Sequence, residues 1–88
     1  MHIKLSASYL HALKGFVKGN QRNAESTKKA IRLFKQNPRH PSLNLEKLQG
    51  LKVWTIRINK GNRIFFIWLD ESTALFIDIG KHDKYKKY

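Results

Sequence analysis

Apolar side chains recur at helical spacing in the first half of the chain and alternate in the second. His2-Ile3-Lys4-Leu5 alternates and suits a short strand. Ser6 or Ser8 can then cap a helix, since a serine oxygen accepts an otherwise orphaned amide. Within that helix Tyr9, Leu10, Leu13, Phe16 and Val17 form one apolar face, and Gly19-Asn20 ends it. A second helix is predicted from about Gln21 to Gln36, with Ala24, Thr27, Ala30, Ile31 and Phe34 inward. Lys28, Lys29, Arg32 and Lys35 fall outside that stripe and read as a solvated face rather than a nucleic-acid surface. Asn37-Pro38-Arg39-His40-Pro41 breaks the helix, because proline lacks the amide and restricts the residue before it. Leu43, Leu45 and Leu48 anchor a connector that ends at Gly50.

Three stretches rich in β-branched and aromatic residues follow: Val53 to Asn59, Arg63 to Leu69, and Thr73 to Ile79. The order β-α-α-β-β-β predicts an α+β domain over residues 1–88. Both helices should cover one face of a mostly antiparallel four-stranded sheet, and a short C-terminal helix stays open. Between the first two of these strands, a two-residue turn at Lys60-Gly61 would pair Ile58 with Arg63 and put an arginine among core side chains. A three-residue loop pairs Ile58 with Ile64, so Trp54, Ile56, Ile58, Ile64, Phe66 and Trp68 share one face and Asn62 takes a left-handed loop position. Burial favours the second register. Leu75, Ile77 and Ile79 then join the buried face.

Charge changes the picture more than composition does. Eighteen Lys plus Arg against six Asp plus Glu leave a formal charge of +12. On a folded domain this predicts a polyanionic partner: nucleic acid first, acidic protein second, anionic membrane third. The 41% hydrophobic content is too high for a disordered polycation. Absence of cysteine excludes disulfides, thiol catalysis and thiolate-bound zinc. Ile64 to Leu69 is too short to span a bilayer, and the N-terminus lacks a signal-peptide pattern, so the expectation is a soluble cytoplasmic protein. His2, His11 and His40 are dispersed without ligand spacing, so neither a metal nor another cofactor is expected.

The face away from the predicted core carries Thr55, Arg57, Arg63, Phe65, Ile67, Phe76 and Asp78. Two arginines close together on neighbouring strands repel, so stability does not explain the pair. An anionic ligand would explain it, as would a carboxylate partner such as Asp78.

Several segments together resemble the RelE/ParE superfamily of type II toxins: His40-Pro41-Ser42-Leu43, Leu48-Gln49-Gly50, Trp54-Thr55-Ile56-Arg57-Ile58, Arg63-Ile64-Phe65-Phe66 and Ile79-Gly80-Lys81-His82-Asp83-Lys84-Tyr85. The element order and length fit over essentially the whole chain. The resemblance to the RelE-like branch implies a small basic endoribonuclease that cuts mRNA in the ribosomal A site. It also implies a cognate antitoxin, with which the toxin forms a hetero-oligomer. The ParE-like branch, which inhibits DNA gyrase, is the rival reading, and a non-cleaving RNA or ribosome binder is a third.

Matched position by position, the resemblance makes Arg63 the strand arginine on the reacting phosphate and Arg57 a second basic residue on the preceding strand. Thr55 stands where some members have a lysine. His82 falls where members carry a residue that stabilises or protonates the leaving group. Tyr85 and Tyr88 both match the C-terminal tyrosine that stacks on RNA, and Glu46 resembles the general base of the YoeB-like subgroup.

The chemistry these residue types can supply is consistent with that assignment. RNA cleavage needs no metal when the adjacent 2′-hydroxyl is the nucleophile: a base takes its proton, cations hold the phosphate charge, and an acid protonates the departing 5′-oxygen. Guanidinium groups supply fixed bidentate donors, and imidazole is the natural acid. Glu46 or Asp78 could accept the proton. Phe65, Tyr85 and Tyr88 could stack on splayed bases, and Lys52, Lys81, Lys84, Lys86 and Lys87 complete an expected RNA-binding surface with Arg57.

Overall fold

Polar caps set where the two helices begin. In the computed structural model, which describes residues 1–88, strand β1 (His2–Leu5) leads into helix α1 (Ala7–Val17). Ser6 caps α1, its hydroxyl oxygen accepting from the Tyr9 amide at 3.0 Å. Gly19, at φ +61°, reverses the chain, and Asn20 caps α2 (Gln21–Gln36) by accepting from the Asn23 amide at 2.9 Å. The bounds of α2 are those the sequence predicts, with Thr27, Ala30 and Phe34 buried and its basic residues exposed. Leu10 departs from expectation: it is 49% exposed. Adjacent helical residues stand roughly 100° apart, so when Tyr9 points at the sheet its neighbour turns outward.

Beyond a 3-10 turn at Pro41–Leu43 come β2 (Glu46–Lys47), β3 (Trp54–Asn59), β4 (Asn62–Asp70) and β5 (Thr73–Lys81), and a 3-10 helix over His82–Lys87 forms the C-terminal tail. The sheet has five strands, not four, in the order β1-β5-β4-β3-β2. β1 runs parallel to β5, and the other pairings are antiparallel. The additional strand is β2, two residues paired with Trp54 and Thr55 and too short to show any alternation.

Two bulges depart from the predicted pairing: one shifts the β3–β4 register without changing its faces, and the other exchanges faces along β5. Arg57 lies opposite Arg63 and Ile56 opposite Ile64, while Asn59 lies opposite Asn62, so Ile58 is the extra residue on β3. The connection is therefore the two-residue turn Lys60-Gly61. Gly61, not Asn62, takes the positive φ, +81°, and the Asn62 side chain holds the turn, its Nδ2 donating to Asn59 Oδ1 at 2.7 Å. The bulge keeps arginine out of the core, which is why the two-residue turn rejected for a regular hairpin is tolerated. On β5, Phe65 pairs with Asp78 but Phe66 with Phe76, leaving Ile77 unpaired. Ala74 and Phe76 thereby join Ile79 in the core, and Leu75 and Ile77 are only half-buried elsewhere. The large aromatic Phe76 takes the inward position, where it closes the aromatic cluster.

That cluster lies between the helices and one face of the sheet. Phe34 meets Phe66 edge-on at 5.1 Å and Phe76 at 5.8 Å, and Tyr9 meets Phe76 at 5.3 Å. Such offset and edge contacts are the favoured aromatic geometries.

Candidate active site

On the opposite face, the paired strands β3 and β4 put Arg57 and Arg63 directly across from one another. Arg63 is the fixed member: its side chain is 10% exposed, and Nη1 donates to Thr55 Oγ1 at 3.0 Å and to the Asn44 carbonyl at 3.2 Å. Asn44 can present that carbonyl because it adopts a left-handed conformation, φ 45°. Glu46, placed by β2, brings Oε2 to 3.8 Å from Arg63 Nη1 while its side chain stays 47% exposed. Arg57 is exposed.

His82 completes the arrangement. Its backbone amide donates to the Gly61 carbonyl at 2.8 Å, which docks the start of the tail on the β3–β4 turn. A polar cleft of about 320 Å³ is lined by Arg57, Asn59, Gly61, Asn62, Arg63 and His82. A second cleft of about 450 Å³, with apolar walls from Leu48, Leu51, Tyr85 and Tyr88, also includes Glu46, Gln49, Lys86 and His82. His82 borders both. One cleft offers cationic and amide donors suited to an anion, and the next offers flat apolar surface suited to a planar ring.

The residues singled out in the sequence are therefore unequally placed. Arg57, Arg63, His82, Glu46 and Tyr85 converge on these adjoining clefts, and Lys86 lines the second. Tyr85 is exposed, with its ring 5.5 Å from that of His82. Lys81 is exposed on the outer side of His82, and Lys52 is exposed before β3 but lines neither cleft.

Phe65 departs from the expected stacking surface: it is fully buried, with the Tyr88 ring over it at 5.6 Å. Asp78 is not the arginines' partner either. Its carboxylate accepts from Lys84 Nζ at 3.0 Å, the Tyr88 hydroxyl at 2.9 Å and Lys87 Nζ at 3.4 Å. Burial pushes the Asp78 pKa up, but hydrogen bonds from Lys84, Tyr88 and the Ile79 amide, with the charge of Lys84, outweigh it and hold the carboxyl below the usual range. A carboxylate so held is a poor proton acceptor, and Lys84 and Lys87 spend their charge on it. Burial and Asp78 together push the Tyr88 hydroxyl upward.

Asn59, Asn62, Gln49 and the anchor Asn44 were missed as site residues because side-chain amides are too common to stand out without a fold, and Thr55, placed on this face from the sequence, proves to anchor Arg63. No three His, Asp or Glu side chains converge as a metal-binding group. No helix is long and apolar enough to cross a membrane.

Solved structures share this architecture. The YoeB/ParE toxin from Agrobacterium tumefaciens is 20% identical with a TM-score of 0.76, over 93% of this chain and 99% of that one. YafQ from E. coli strain BL21(DE3) is 14% identical with a TM-score of 0.75, over 94% of each chain. A chain of the heterotetrameric YoeB–YefM toxin–antitoxin complex from Staphylococcus aureus is 16% identical with a TM-score of 0.73, over 93% of this chain and 97% of that one. No family model and no curated protein matches the sequence. The chain thus shares the fold of these YoeB/ParE and YafQ toxins.

Proposed function

We propose that this chain is the toxin of a type II toxin–antitoxin pair and acts as an endoribonuclease on mRNA in the ribosomal A site. The observation that carries this reading is the opposed Arg57–Arg63 pair with His82 on the same cleft and Glu46 beside Arg63. In the proposed reaction Glu46 takes the proton of the 2′-hydroxyl, whose oxygen attacks the adjacent phosphorus. Arg63 and Arg57 hold the phosphate oxygens as charge builds. The bond from phosphorus to the 5′-oxygen breaks, and His82 protonates that oxygen, leaving a 2′,3′-cyclic phosphate and a 5′-hydroxyl. Tyr85 stacks on the neighbouring base in the apolar cleft.

The +12 surface suits RNA and equally an acidic antitoxin segment. The S. aureus YoeB–YefM complex and the E. coli DinJ–YafQ complex support such a partner.

Mapping transcript 5′ ends shortly after induction tests the reading. The expected result is new 5′-hydroxyl ends within translated messages. His82→Ala should slow cleavage by about 10²–10⁴-fold, the usual contribution of a positioned acid. Arg63→Lys, which keeps charge but loses the planar fork, should slow it by about 10²-fold. Intact transcripts with DNA-damage signalling would instead identify a gyrase inhibitor, and ribosome binding without cut message a passive binder.

A further inference from the structure

A buried carboxylate on the working face of the sheet needs a reason. Asp78 sits on β5 opposite Phe65, its side chain 4% exposed, where an apolar residue could pack without the cost of desolvating a charge. What it does receive is the tail. Every side-chain hydrogen bond from residues 82–88 to the sheet ends on Asp78 or on the adjoining Ile79 carbonyl: Lys84 Nζ to Oδ1 and to Ile79 O at 3.1 Å, Lys87 Nζ and the Tyr88 hydroxyl to Oδ2. The Ile79 amide, donating to Oδ1 at 2.9 Å, fixes the carboxylate plane.

The backbone at Gly80 is shaped around the same contact. Its φ of +155° is one that side-chain-bearing residues rarely adopt, and a Cβ there would lie 2.8 Å from Lys84 Cε. Lys84 thus crosses a glycine to reach Asp78. The His82–Gly61 backbone bond and the Asp78 contacts of Lys84, Lys87 and Tyr88 flank Tyr85, and His82 and Tyr85 are among the tail residues that line the clefts.

We propose that Asp78 is a positioning residue: by clamping Lys84, Lys87 and Tyr88 it holds His82 against the Arg57–Arg63 cleft and Tyr85 against the apolar cleft beside it. The role of those two residues rests on the function proposed above, whereas the clamp itself does not. Asp78 never touches the RNA and acts only through the tail.

The test uses the full chain with D78A and D78N, and two readouts. Backbone ¹⁵N order parameters for residues 82–88 should fall from about 0.85 to below about 0.6 in D78A, while β3, β4 and β5 stay rigid. On message-programmed ribosomes D78A should lower kcat by about 100-fold with KM changed less than about twofold, since misplacing a group by an ångström costs that much. In a His82→Ala/Tyr85→Ala background D78A should cost nothing further, the signature of acting through those two residues. D78N keeps an acceptor for the Ile79 amide and Lys84, should be milder in both readouts, and is the variant to use where D78A does not fold.

A tail that stays rigid in D78A overturns the proposal, as does a loss of activity that adds fully to that of the His82→Ala/Tyr85→Ala pair, or one that appears in KM alone. If the wild-type chain cuts no message, the function proposed above fails while the clamp is still decided by the order parameters.

Discussion

The two faces of the sheet are closed by different means. The helix side is sealed by packed rings, with Phe34, Phe66, Phe76 and Tyr9 in mutual contact and no charge among them. The tail side is closed by one ring, Tyr88 over Phe65, and a set of polar links on Asp78, next to clefts left open. Apolar burial is non-directional and strong, at roughly 25 cal/mol per Å². Polar links are directional and, exchanged against water, weak in net terms. One side holds the molecule together, and the other holds a few groups in a chosen geometry.

Paired truncations offer the largest effect by which to break that contrast. Phe66→Ala should cost about 3–5 kcal/mol in urea denaturation, the range for a buried phenylalanine in a rigid core. Phe65→Ala, equally buried, should cost about half as much, because the tail can settle into the space left. Equal costs would erase the distinction.

Acid sharpens it at lower cost. The Asp78 carboxyl is held below its ordinary 3.8, so the stability it contributes is full above that pH and is lost as pH falls through the folded value. Tail order followed by NMR should decline in that window before the helices melt, and D78N should remove this contribution.

The smallest effect comes from the helix side. The Tyr9 hydroxyl is buried without a partner, and burial pushes its pKa from 10.0 up to about 12. Tyr9→Phe should therefore raise stability by about 1 kcal/mol. In the wild type, stability is full below pH 10 and falls as pH rises towards 12, and the Phe variant should lose that contribution.

Much of this asymmetry was legible in the sequence. The stripe of α2 and its end at Asn37 could be read directly, as could the shared face of Arg57 and Arg63. That shared face survived an error in register because the expected and observed pairings differ by two residues, which preserves side-chain parity. β5 was less forgiving: a single extra residue at Ile77 exchanges the faces of everything before it, and a bulge leaves no mark in an unbroken run of strand formers. At the site, charge and imidazole singled out Arg57, Arg63 and His82. The attachment of the tail to Asp78 could not be anticipated, because a lysine-rich end looks solvated until its carboxylate is found. Phe65 was misjudged for the same reason.

β1 lies at the sheet edge beside the last strand, with His2 opposite Thr73 and Leu5 opposite Phe76. Its pairing therefore waits for a strand far later in the sequence. Such long-range closure slows folding and argues against growth of the sheet from the N-terminus as the chain emerges. A nascent copy consequently lacks its finished sheet until β5 has left the ribosome.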